Sequence, residues 1–149
     1  MNNTRRPSFI AYYPMLACMA LITVMSHIPG KDLPKIYGPF IQAILDLLGP
    51  FHDKWIHLVA YFVLGMTAYR ANAGKRVLQF IICGGFGLFD ECHQYFVPGR
   101  HFDLMDWAAD VIGVLLALVF IACFNNQLDQ IWNWIELKLK KAKILKELI

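Results

Sequence analysis

Long apolar runs separated by short polar stretches organise the chain. They read FIAYYPMLACMALITVM from Phe9, WIHLVAYFVLGMTAY from Trp55, VLQFIICGGFGLF from Val77 and LMDWAADVIGVLLALVFIACF from Leu104. A helix needs about 20 residues to cross roughly 30 Å of hydrocarbon. The pattern therefore predicts four spans, at 9–26, 54–70, 77–96 and 104–124. Tyr12, Tyr13 and Pro14 make the first run unlike a cleaved leader, so it is expected to stay as a span. The segment HIPGKDLPKIYGPF after it is rich in proline and glycine and should be irregular. FIQAILDLLG then returns to helical spacing. From about residue 127 to 149, Leu128, Ile131, Trp132, Ile135, Leu139, Ala142 and Ile149 fall roughly on one face, the pattern of an amphipathic helix lying on a membrane surface. Packing on a partner chain is the other use of such a face. The fold class expected is an all-α membrane protein. One domain, 1–149, forms a four-helix transmembrane bundle with a C-terminal amphipathic cytoplasmic helix.

Composition supports that class. Of the 149 residues, 58% are hydrophobic and only 17% charged, which is outside the range of soluble domains. The net charge of +3 comes without a basic patch interleaved with exposed aromatics, so no nucleic-acid partner is expected. Cys92 is the lone cysteine in a polar stretch, which argues against a disulfide framework. Arg5 and Arg6, then Arg70, Lys75 and Arg76, then the lysines from Lys138 to Lys146, mark three positive segments. Positive loops stay in the cytoplasm. Both termini are therefore expected inside a bacterial plasma (inner) membrane, with the segment Asp90 to Asp106 outside.

That segment reads DECHQYFVPGRHFDLMD and carries the chemistry. From Val77 to Phe89 a helix rises only about 20 Å, short of the hydrocarbon thickness. Asp90, Glu91, His93 and Gln94 thus fall within the outer part of the bilayer, where ionisable groups must face a protein interior or a wet cavity. Residues three and four apart share a helix face. Lys54, His57 and Tyr61 form one stripe, Asp90, His93 and Gln94 a second with Glu91 beside it, and Asp103, Asp106, Asp110 and Gly113 a third. Three stripes at one level on consecutive helices should face one another. Gly65, Gly84, Gly85, Gly87 and Gly113 would let those helices approach. Some of these groups also have structural readings. Lys54 suits a snorkelling anchor, Asp103 a helix cap, Tyr61 and Tyr95 an aromatic belt, and Asp90 with Arg100 an ion pair holding the loop.

The same residues carry a family resemblance. DKWIHLVAYFVLG from Asp53, DECHQYFVPGR from Asp90 and DLMDWAADVIG from Asp103 resemble the VanZ-like family of small bacterial membrane proteins. The similarity runs from about His27 to Ala117. It places the family pattern on Asp53, Lys54, His57, Glu91, Gln94, Pro98, Arg100, Asp106 and Gly113. Asp110 stands where the family often has Asn. A family named for teicoplanin resistance implies a role at the cell envelope and specifies no reaction.

Several functions fit these residues. In an enzyme, His57 or His93 would be the general base, with Glu91 or Asp106 orienting it. Lys54, Gln94, Arg100 and Asp110 would bind the headgroup of a membrane lipid or a lipid-linked envelope precursor, such as a phospholipid or polyprenyl phosphate. The arginine fork suits phosphate oxygens. Hydrolysis or transfer would follow, although no G-x-S-x-G, H-E-x-x-H or G-x-x-x-x-G-K signature is present. No cofactor is certain. A divalent metal, zinc, manganese or magnesium, is one candidate, on ligands from His57, Glu91, His93, Asp106 and Asp110. The alternatives are a non-catalytic lipid or glycopeptide binder supporting a membrane-protein partner or acting as a homo-oligomer, and a small proton-coupled transporter. The transporter is the weaker, because the inner halves of the spans offer no polar path.

Overall fold

The computed structural model describes residues 9–72 and 75–147. Arg5, Arg6 and Ile149, which entered the charge and amphipathicity expectations, lie outside them. Among the described residues the chain is all helix and turn, without a strand. A 3₁₀ turn, Phe9–Tyr12, leads into α1, Tyr13–Ser26. The remaining helices are α2 (Leu33–Leu47), α3 (His52–Ala71), α4 (Arg76–Gln94) and α5 (Leu104–Glu147).

Two of these are long and apolar enough to cross a membrane, Phe9–Ser26 and the α5 stretch Leu104–Leu139. α3 and α4, of 20 and 19 residues, carry charged groups at both ends, with the denser cluster at the start of α3 and the end of α4. α4 stops at Gln94, so Tyr95 and Phe96 belong to the following turn rather than to the helix expected to reach 96.

The proline-rich connection is more helical than expected. Gly30–Asp32 forms a 3₁₀ turn and α2 starts at Leu33 with Pro34 in its first turn. Proline is tolerated there because the first N–H groups of a helix have no intrahelical partner. The break comes at Gly38, whose φ of 67° is open to glycine and costly to other residues. Pro39 then restarts the helix. A second break lies in α5 at Phe124, with φ −117° and ψ 20°. It separates the last apolar span from the tail.

Leu64, Ala68, Cys83 and Val114, all fully buried, form the core with Met15 and Ile22 of α1. α3 and α5 make the tightest approach. A Cβ on Gly113 would sit 2.4 Å from the carbonyl oxygen of Leu58 and 3.0 Å from the amide of Phe62. One on Gly65 would sit 2.6 Å from the Cβ of Ala117. Small residues at such crossings let backbones pack closely where no hydrophobic effect drives association. Gly84 and Gly85 do not share this role, because a Cβ on either meets nothing within 4 Å. Gly84 instead offers its carbonyl to the Trp107 indole N–H at 3.1 Å, tying α4 to α5.

The distribution of side chains is inverted relative to a soluble domain. Val59, Val63, Val77, Ile81, Leu88, Phe89, Leu116 and Val119 are exposed, whereas Gln79, Asp90, Glu91 and Asp110 are buried. A broad exposed apolar surface around a polar interior is what a lipid solvent selects.

The tail folds back on its own chain. The Tyr69 hydroxyl donates to Asn125 and, at 3.0 Å, to Asp129. The Arg70 guanidinium reaches Asp129, Asn133 and Glu136 at 3.3, 3.0 and 3.4 Å. Trp132 and Ile135 face Ile10 and Pro14 across a crevice. The side expected to meet only membrane or a partner is thus partly occupied by the start of the first helix.

Candidate functional site

The C-terminal ends of α1 and α4 meet the N-terminal ends of α3 and α5 at one end of the molecule. Ser26 donates to Asp90 Oδ2 at 2.7 Å, and the Gly30 amide to the Pro98 carbonyl at 3.3 Å. These contacts bring the loop at Pro98 against the loop that follows α1.

α5 begins with a side-chain cap. Asp103 Oδ1 accepts from the Met105 amide at 2.8 Å, the usual task of an aspartate before a helix. Its other oxygen takes Lys54 Nζ at 2.6 Å. Lys54 also reaches Asp106 Oδ1 at 2.6 Å and Asp53 Oδ2 at 3.0 Å. This lysine therefore links α3 to the first turn of α5 and is surrounded by carboxylates. The hydrogen bond from Lys54 holds the Asp103 carboxyl below the usual aspartate range.

One turn deeper lies His57. Its Nδ1 is 2.9 Å from Asp110 Oδ1 and 3.8 Å from Glu91 Oε1, while Nε2 stands 4.0 Å from Asp106 Oδ2. Asp110 and Glu91 are fully buried. Glu91 Oε2 accepts the Asp103 amide at 3.1 Å, and Gln94 Nε2 lies 3.4 Å from Oε1 and 3.3 Å from Asp90 Oδ2. Three helices thus supply one imidazole and three carboxylates within a few ångströms. A proton on Nδ1 donated to Asp110 would leave Nε2 free to accept another, the arrangement of an imidazole oriented for proton transfer. The same nitrogen and carboxylate oxygens are also ligands for a divalent cation.

A cavity of about 500 Å³ opens beside this cluster. His57, Asp53, Asp90, Gln94 and Arg100 form its polar end, and Cys18, Ile22, Leu45 and Ala60 its apolar wall. Glu91, Asp106 and Asp110 are not in its lining. They stand behind His57 and act on the cavity through it. Arg100 donates long bonds of 3.4 and 3.5 Å to the carbonyls of Ile28 and Met25. Among the described residues it has no carboxylate within ion-pair distance, so the pairing expected with Asp90 does not form.

Of the residues singled out in the sequence, His57, Glu91, Asp106, Asp110, Lys54 and Gln94 are gathered at one place, with Arg100 across the cavity. His93 is not among them. Its ring turns toward α1 and lies 3.3 Å, nitrogen to nitrogen, from His27, with ring centroids 5.4 Å apart. His93 and Asp90 sit three apart on α4, yet His93 meets His27 just beyond α1 while Asp90 accepts from Ser26 at the end of that helix. Sequence reasoning passed over Ser26 and Trp107. A hydroxyl at a span end and an indole near a membrane face are ordinary there, and only the fold gives them partners. Tyr61, read as an aromatic-belt residue, is 1% exposed. Its ring and Asp110 Oδ2 share the notch over Gly87, where a Cβ would lie 3.1 Å from the one and 2.9 Å from the other.

The three sequence stretches that build this cluster fall within the region of residues 9–125 that matches the VanZ/LLP1 family model. The chain belongs to the VanZ/LLP1 family. It is also similar to an uncharacterized protein of Schizosaccharomyces pombe (strain 972 / ATCC 24843), 33% identical over 85 residues, which are 52% of this chain and 51% of that protein. The chain thus spans about half the length of that relative. No solved structure matches the chain. Family membership and two span-length apolar helices are consistent with a membrane protein.

Proposed function

We propose that this VanZ/LLP1 protein binds the phosphate-bearing headgroup of a membrane lipid at the outward end of a four-span bundle and cleaves or transfers it there. In this reading α1, α3, α4 and the first part of α5 all cross the bilayer. Both termini are cytoplasmic, and the tail rests on the inner leaflet of a bacterial plasma membrane.

One observation carries the proposal: the cavity joins a polar end to an apolar wall that surfaces on the lipid-facing side. Leu21 and Val63 line it and are 62% and 44% exposed. A ligand with an apolar chain and a polar head fits that continuity better than a soluble solute does. The guanidinium of Arg100 supplies the charge-assisted donors for phosphate oxygens, and among the described residues it lines the cavity with no carboxylate at ion-pair distance. Lys54, expected to share that role, is occupied by Asp53, Asp103 and Asp106. His57 is the group of the buried cluster that faces the ligand. A proton-coupled transporter would need titratable groups through the inner half, whereas the ionisable cluster stops at Asp110.

Comparing the lipids of a deletion strain with those of strains carrying wild-type, His57→Ala or Glu91→Gln protein tests the reaction. One phosphate-bearing lipid is expected to accumulate on deletion and to fall with wild type alone, at equal protein levels in the membrane. An unchanged profile in all strains, with lipid still bound to the purified protein, would show a binder without turnover. Full function of Glu91→Gln would show that the buried charge only holds the fold.

A further inference from the structure

Resting on that reading of the site, we infer that His57, Glu91 and Asp110 form a binding site for one first-row divalent cation, of the zinc or manganese class. The ligand atoms of these three residues all lie within 4.8 Å of one another. Atoms that each bind one ion at about 2.1 Å are at most ~4.2 Å apart. The separations from His57 Nδ1, 2.9 Å to Asp110 and 3.8 Å to Glu91, already fall inside that limit.

Charge is the first reason. Glu91 and Asp110 are both fully buried, and buried charges need a paired cation or a metal. Lys54 is held by Asp53, Asp103 and Asp106, so His57 alone faces two buried carboxylates. A protonated imidazole balances one of them. A divalent cation balances both and leaves the imidazole neutral.

The second reason is unpartnered oxygen. Asp110 Oδ2 and, on a different helix, the hydroxyl of Tyr61 are buried with no hydrogen-bond partner among the described residues. The Tyr61 ring edge, rather than its hydroxyl, lies with Asp110 Oδ2 over Gly87. A water on the cation would give both a partner.

The third reason is support around the ligands. With Nδ1 on the cation, Nε2–H points toward Asp106 Oδ2 at 4.0 Å, and Asp106 is itself fixed by Lys54. A carboxylate behind a ligating histidine is the usual orienting partner. Glu91 is fixed from the other side by the Asp103 amide. Three protein ligands leave coordination positions open, as sites that act on substrates do. When bound, the cation would hold the His57 imidazole in place from behind and acidify a water in an open position. His57 then serves as a ligand and not as the base.

The test uses full-length protein purified in detergent, stripped with a chelator and reloaded with zinc or manganese alone. About one ion per chain is expected by elemental analysis, with a rise in melting temperature that the chelator reverses. Glu91→Gln and Asp110→Asn should each lower occupancy at least tenfold at unchanged helicity, and His93→Ala should keep it. If either exchange does not fold, the reversible melting shift of the wild type and its loss in His57→Gln decide the matter. Occupancy far below one ion in wild type, or equal occupancy in all variants, would overturn the inference. Stripped wild-type protein that binds phosphate-bearing lipid but no ion would overturn the metal site alone. Protein that binds the ion but no such lipid would overturn the lipid reading instead.

Discussion

Asp103 shows how one side chain serves two purposes that a substitution can separate. Its Oδ1 caps α5 through the Met105 amide, and its Oδ2 meets Lys54. Asp103→Asn keeps an oxygen for the cap and removes the charge that Lys54 pairs with. The carboxylate is 42% exposed, so the loss in stability at neutral pH should be small, about 0–1 kcal/mol. Its pH dependence is more telling. The Lys54 hydrogen bond lowers the folded-state pKa of Asp103, so its contribution is present above the unfolded value, near 3.9. That contribution is lost as pH falls through the folded value. Melting curves of wild type and Asp103→Asn should therefore differ at pH 7 and converge as the pH falls below the ordinary aspartate range; a constant difference would show that the cap, not the charge, was lost. The cap was legible in the sequence because a carboxylate directly before an apolar run has few other uses. The partner of each buried carboxylate was not. Helical spacing put Asp110 on the stripe of Asp106, but only the crossing of α3 over α5 decides that His57 meets Asp110 at 2.9 Å and Asp106 at 4.0 Å. His93 failed for the same reason. Its face was read on α4 alone, and the position of α1 turned it toward His27.

The helices hold the site at the spacing their glycines set. Gly113→Ala is the sharpest probe, because the added Cβ would enter within 2.4 Å of a backbone oxygen of α3, which cannot move as a side chain can. Separation of the two helices should cost about 1–3 kcal/mol and pull Asp110 from His57. Thermal unfolding in detergent should show the loss, and Gly85→Ala, which meets nothing within 4 Å, should not. Equal effects of the two would mean that helix propensity rather than the crossing matters. The sequence marked the element ends to within a few residues, because apolar periodicity and glycine or proline punctuation agree there. Its errors lie where a local signal is ambiguous. Proline in the first turn of a helix and proline in a loop look alike, so Leu33 to Tyr37 read as irregular. The tail's apolar face gave no hint that Arg70 would reach Asp129 and Glu136, since the turn of the chain at Phe124 carries neither glycine nor proline.

For the whole molecule, the exposed apolar surface and the buried polar cluster fit the proposal that the site lies just inside one face of a bilayer. Orientation is tested by single cysteines in a background lacking the native four. His101→Cys, exposed beside the cavity, should react with an impermeant reagent on intact cells, and Lys75→Cys, exposed at the opposite end, only after lysis. The reverse pattern would place the site in the cytoplasm. Composition pointed to the membrane class, with which the family and the two apolar helices are consistent, because lipid imposes a coarse demand on any helix that crosses it. The ligand was not, because the cavity arises from four segments distant in sequence. The account depends most on a phosphate seated between Arg100 and His57. Its most direct test is native mass spectrometry of the protein released from nanodiscs containing a phospholipid and the matching neutral diacylglycerol. Wild type should carry one phospholipid, and Arg100→Gln of unchanged helicity should lose at least tenfold of it while neither retains diacylglycerol. Equal phospholipid on both proteins, or equal retention of the neutral lipid, would contradict the account.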